Sequence, residues 1–121
     1  MAIKEGGYAA IGRIQYSVMD GEGVPNGILI YLKPAIYGSE PRYILQYAKT
    51  HPEFPHESTA DQFFSESQFE SYRRLGYHVI NTICGEEQQE HRLSSFVQKA
   101  ISHAYGPDKT PQWLPSWLNS L

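Results

Sequence analysis

AAIGRIQYSVMDGEGVPNGILIYL, residues 9–32, is the stretch that decides the fold class. Ala9 to Val18 reads as a strand, with Ile11, Arg13, Gln15 and Ser17 on one face and Gly12, Ile14, Tyr16 and Val18 on the other. Ile28-Leu29-Ile30-Tyr31-Leu32 reads as a second strand, apolar on both faces and therefore expected to be covered on both sides. Between them, Asp20-Gly21-Glu22-Gly23 and Pro25-Asn26-Gly27 are dense in turn formers. Two such strands joined by such a loop predict a β-hairpin. A lone hairpin is marginal in water, so this one must pack on helices or join a larger sheet.

The helices follow. Pro34 and Gly38 end the second strand, and Ser39 is a candidate cap for a helix with Pro41 in its first turn. Tyr43, Ile44, Tyr47 and Ala48 form its apolar stripe, and His51-Pro52 stops it. Thr59-Ala60-Asp61-Gln62 and Ser65-Glu66-Ser67-Gln68 both fit the capping-box spacing. They predict a short helix from about Ala60 and a long one from about Glu66. The expected buried face of the long helix is Phe69, Tyr72, Gly76, Val79, Ile80 and Ile83. Gly76 is either a close-contact point or the end of a shorter helix. Gly85 suits a helix end. Leu93, Phe96, Val97, Ala100, Ile101 and Ala104 mark a last amphipathic helix, ended by Gly106-Pro107.

The expectation is an α+β fold: an N-terminal hairpin followed by three or four helices, within one domain over 1–121. Its parts are the hairpin (8–33), a helical part (39–105) and a Pro/Trp tail (106–121). That tail carries Trp113 and Trp117 with only Lys109 for anionic lipid, so it is expected to fold back on the protein, with at most weak membrane-surface contact.

Composition narrows function more than it names it. Ten Lys and Arg against thirteen Asp and Glu give a net charge of −3, which argues against a general basic field for nucleic acid. The basic residues are scattered singly except for Arg73-Arg74. One cysteine, Cys84, excludes an intramolecular disulfide and a multi-Cys zinc site. No apolar run is long enough for a membrane span, and no signal peptide is visible, so a cytoplasmic location is expected.

The chemistry-bearing residues concentrate in His51-Pro-Glu-Phe-Pro-His56-Glu57 with Asp61 and Gln62. The two His are spaced His-x₄-His in a Pro-broken loop, not on a helix face, and no His-Glu-x-x-His occurs. His51, His56, Asp61 and Gln62 remain functional candidates without a metal or cofactor assignment. Ser58 and Asp61 are explained as capping residues, not members of a triad. Cys84 with His78 and His91 is explained as a small buried thiol. Phe63, Phe64, Phe69 and Tyr72 read as core or intersegment contact, with Phe63, Phe64, Trp113 and Trp117 as the candidate interaction residues. No Gly-x-Ser-x-Gly, Gly-x-Gly-x-x-Gly or P-loop is present.

The run Ile11-Gly-Arg-Ile-Gln-Tyr, then Leu29-Ile-Tyr-Leu-Lys-Pro-Ala, then HPEFPHESTADQFFSESQFESYRRLG from His51 to Gly76, together resemble the C-terminal portion of bacterial patatin-like proteins over about residues 9–78. The resemblance implies a fragment of a larger α/β hydrolase-type fold concerned with lipid acyl hydrolysis. That chemistry uses a Ser–Asp dyad, the Ser in Gly-x-Ser-x-Gly and the Asp in Asp-Gly-Gly or Asp-Gly-Ala. Neither motif is present, and Asp20-Gly21-Glu22 departs from the second, so no catalytic residue carries over. The resemblance thus implies a catalytically incomplete region that binds itself or a missing hydrolase portion as an oligomer. An independent interaction module and a small enzyme using the His51–Asp61 loop are the alternatives.

Overall fold

A computed structural model describes residues 7–85, 92–106, 109 and 112–114. The fold is α+β, in the order β1 (Ala9–Ile14), α1 (Tyr16–Asp20), β2 (Gly27–Leu32), α2 (Arg42–Thr50), α3 (Glu66–Cys84) and α4 (Leu93–Tyr105). It groups into two compact units, Met1–Lys33 with Glu87–Leu121, and Pro34–Glu86.

In the first unit β1 and β2 pair antiparallel, Ala9 opposite Leu32 and Ile14 opposite Gly27. The first strand is shorter than expected. At Gln15 the backbone leaves the extended region, and residues 16–20 form the turn of helix α1. Asn26 holds this turn: its Oδ1 accepts from the Ser17 N–H at 3.1 Å and the Ser17 hydroxyl at 2.9 Å. The Tyr16 ring then lies so near Gly27 that a Cβ there would sit 2.9 Å from it, which is why glycine opens β2. Asp20 ends α1, and Gly21 to Gly23 form an exposed loop behind it, not the tip of a tight hairpin.

Coverage of the strands is the reverse of that expected. Ala9, Ala10 and Ile11 of β1 are all buried, so that strand is covered on both faces. In β2, Leu29 and Tyr31 are 52% and 50% exposed. The reason is size. Ala10 and Gly12 share a sheet face with Tyr31 and Leu29, and residues so small raise nothing for those side chains to sink against. Helix α4 packs on β1 through its buried Val97, Ala100, Ile101 and Ala104, as its periodicity predicts, whereas Leu93, expected on the same face, is exposed in the first turn. Its end also ties the strand: Tyr8 N–H donates to His103 Nε2 at 2.9 Å, and Tyr105 hydroxyl donates to the Ile11 carbonyl at 3.1 Å. Lys33 N–H donates to the Tyr8 carbonyl, so alternation turns the Ile11 peptide groups away from β2. Tyr105 thus occupies an outer-edge carbonyl of β1. Leu114 is fully buried and Arg13 lies over the Trp113 ring at 5.8 Å, so this part of the tail folds back.

In the second unit α2 packs against α3. Helix α2 starts at Arg42 with Pro41 before it, and Ser39 does not cap it. The local donors go elsewhere: the buried Glu40 carboxylate accepts the Tyr37 and Gly38 N–H groups, both at 2.8 Å. Ile44 and Tyr47 are buried, and the helix ends before Pro52 as expected. No helix forms at 60–65. Ser58 Oγ accepts the Ala60 N–H and Asp61 Oδ1 accepts the Phe63 N–H, local turns that compete with a helix.

Helix α3 begins at the second capping pattern, where Ser65 Oγ accepts the Gln68 N–H at 3.1 Å. Its core face is Ser71, Leu75, Val79 and Ile83. Ser71 is tolerated there because its hydroxyl donates to the Ser67 carbonyl at 2.7 Å. Phe69, Gly76 and Ile80 are exposed, so the expected face is wrong for those three, and Gly76 neither meets a neighbour nor ends the helix. Gly85 does end it, at φ 76° with its N–H donating to Asn81. Ser65→Ala is expected to destabilise the protein by about 1 kcal/mol through the lost cap, and Thr59→Ala by almost nothing. Urea melts of both variants check this.

Candidate functional site

Residues 51–57 are held as a clamp of rings around one carboxylate. His51 stacks flat on Tyr47 at 3.8 Å between centroids. Phe54 meets Tyr47 edge-on at 5.0 Å and Tyr72 edge-on at 4.9 Å. Glu57 gathers the polar ends: Tyr47 hydroxyl donates to its Oε1 at 3.4 Å and Gln68 Nε2 to its Oε2 at 3.3 Å. The Glu57 N–H in turn donates to the Tyr72 hydroxyl at 3.1 Å. Sequence reading missed Tyr47, Glu57 and Tyr72 as partners, because they come from α2, the loop and α3.

The sequence candidates do not converge. His51 is committed to Tyr47: besides the stack, its Nδ1 lies 3.0 Å from the Tyr47 carbonyl and 2.9 Å from Thr50 Oγ1. His56 is exposed, its N–H donating to Glu53. Asp61 and Gln62 are exposed, and Asp61 serves its own turn. Among the described residues no three His, Cys, Asp or Glu side chains are grouped to hold a metal ion. Cys84 is half-buried; His91 and Trp117 lie outside the described residues.

Two other features stand out on this unit. Phe63, Phe64 and Phe69 are 93%, 56% and 65% exposed, which corrects the expectation that they are core. They sit beside exposed Asp61 and Glu66. Further along α3, Arg73, Arg74, Tyr77, His78 and Asn81 line an open groove of about 690 Å³. Glu70 receives Arg73 through two N–H donors at 2.8 Å and Arg74 Nε at 2.7 Å. Hydrogen bonds from Arg73, then Arg74, lower the Glu70 carboxyl to a pKa of about 2. The signal for this trio was legible: Glu three and four positions before two Arg is helix-pair spacing.

Burial, then the Glu57 carboxylate, raises the Tyr47 phenol above its ordinary 10; burial likewise raises Tyr72. A raised folded-state value means the clamp's contribution is complete below pH 10 and is lost as pH climbs through the folded values. Tyrosinate absorbance should therefore show late-ionising phenols whose titration coincides with alkaline loss of stability. Tyr47→Phe should remove one of them.

Comparison of the chain with family models, with curated proteins and with solved structures finds no match.

Proposed function

We propose that this chain is a protein-binding module, not a self-contained catalyst. The observation that carries the reading is the group of exposed aromatics formed by Phe63 and Phe64 on the short loop leading into α3 and Phe69 in the first turns of that helix. Exposed aromatics grouped in this way are the side chains that anchor protein interfaces. The acidic flank of Asp61 and Glu66 specifies the partner: an apolar hollow rimmed by Lys or Arg. The same flank disfavours an anionic lipid surface. No helix among the described residues is long and apolar enough to cross a membrane. The likeness of residues 9–78 to patatin-like hydrolases supplies a candidate for the partner, the hydrolase portion that carries the dyad; this part of the proposal rests on those sequence pieces alone.

A displayed-peptide selection tests the module. The expected winners are apolar segments bracketed by Lys or Arg, and the Phe63→Ser/Phe64→Ser variant should bind them more than about tenfold more weakly. Selected sequences that bind the variant equally well would sink the reading, as would capture of neutral or anionic vesicles that depends on both Phe residues.

Self-association is a second reading with its own observation. Leu29 and Tyr31 are exposed on a two-stranded sheet, and among the described residues no third strand lies beside it. An open edge with an apolar face recruits another chain, and a twofold copy of this one is the simplest. Light scattering at micromolar concentration should report a dimer that Leu29→Lys dissociates. A wild-type monomer refutes it.

A further inference from the structure

The α3 groove is independent of the aromatic loop and has a different chemistry. Two guanidinium groups line it, against one carboxylate, in a chain whose net charge is −3. Both are fixed in place before any ligand arrives. Glu70 grips Arg73 through Nε and Nη2, and takes only Nε of Arg74. Arg74 is also laid on the Tyr43 ring, its Cζ 4.4 Å from the centroid. The terminal nitrogens of Arg74 and Nη1 of Arg73 keep their N–H groups for an incoming acceptor. Both side chains are about half exposed, so a ligand reaches them without moving the helix.

The ligand's chemistry follows from the donor set. One guanidinium fork matches the two oxygens of a carboxylate, whereas N–H groups from two guanidiniums on one groove suit the several oxygens of a phosphate. Glu70 stays ionised at every pH at which the fold is tested, so the trio retains one positive charge in excess. One turn along, the Tyr77 ring is largely exposed on the groove wall, with the Asn81 amide beyond it. A flat group carried on the phosphate would lie on Tyr77 and meet the Asn81 amide. The volume falls within the range of small-molecule sites. We propose that the groove binds a small, soluble phosphate monoester of a planar ring, with Arg73 and Arg74 holding the phosphate and Tyr77 the ring.

Calorimetric titration with phenyl phosphate, inorganic phosphate and benzoate tests this. Phenyl phosphate should bind at one saturable site, more tightly than the other two, and more weakly as salt is raised. Arg73→Gln/Arg74→Gln should weaken it by about tenfold or more. Tyr77→Ala should lower it to the affinity of inorganic phosphate. Arg42→Gln, which removes a positive charge from α2 outside this groove, should leave it unchanged. Circular dichroism confirms that the variants are folded. The proposal is overturned by the absence of saturable binding, by equal loss in the Arg42 variant, or by benzoate binding as tightly as phenyl phosphate. Phosphatidic acid vesicles that displace phenyl phosphate at equal phosphate concentration would overturn the soluble source.

Discussion

Too little interior for too many large apolar side chains is the constraint on which the rest of this structure depends. The chain divides into Met1–Lys33 with Glu87–Leu121, and Pro34–Glu86, and each unit must bury its own core. A body of about 60 residues hides only about 60% of the surface its unfolded chain exposes. Ile44, Leu75, Val79 and Ile83 fill the interior of the second unit. Phe63, Phe64, Phe69, Tyr77 and Ile80 are left outside it. The surface features that invite a partner are thus the remainder of a small core.

Small cores also make each buried polar atom expensive, and this chain handles them locally. Ser71 returns its hydroxyl to its own helix. Glu40 takes two N–H groups of the turn before it. Glu57 draws together a phenol and an amide from two helices. Each arrangement satisfies groups that would otherwise cost on the order of 1–3 kcal/mol when buried without a partner. The Glu57 group does more than satisfy itself. It turns the loop 51–57 into a rigid connection between α2 and α3, with the exposed Phe pair emerging just beyond it.

The two proposed surfaces of this unit differ in how they would work. The Phe loop offers apolar anchors and an acidic rim, so it selects a partner by shape and desolvation. The α3 groove offers oriented guanidiniums, so it selects by charge and geometry. Both are served by one helix, whose first turn follows the Phe pair and whose middle carries the Arg pair.

Sequence periodicity and punctuation determined the α+β class, the two strands, the end of α2 before Pro52, the start of α3 at Ser65 and the buried face of α4. Each rests on interactions within a few residues, or on a stripe so apolar that only one face can be buried. What only tertiary structure decided is which side of a less clear-cut element faces inward. Helix α3 has apolar residues around most of its circumference, and α2 selected the face with Ser71 and Leu75 over the one with Phe69 and Ile80. The strands pair as expected, yet the cover fell on β1, because α4 packs on it and the small Ala10 and Gly12 leave Leu29 and Tyr31 outside. His51 and Asp61 were visible as chemistry, but Tyr47, Glu57 and Tyr72 are up to 25 residues apart, and long-range packing alone brings such side chains together.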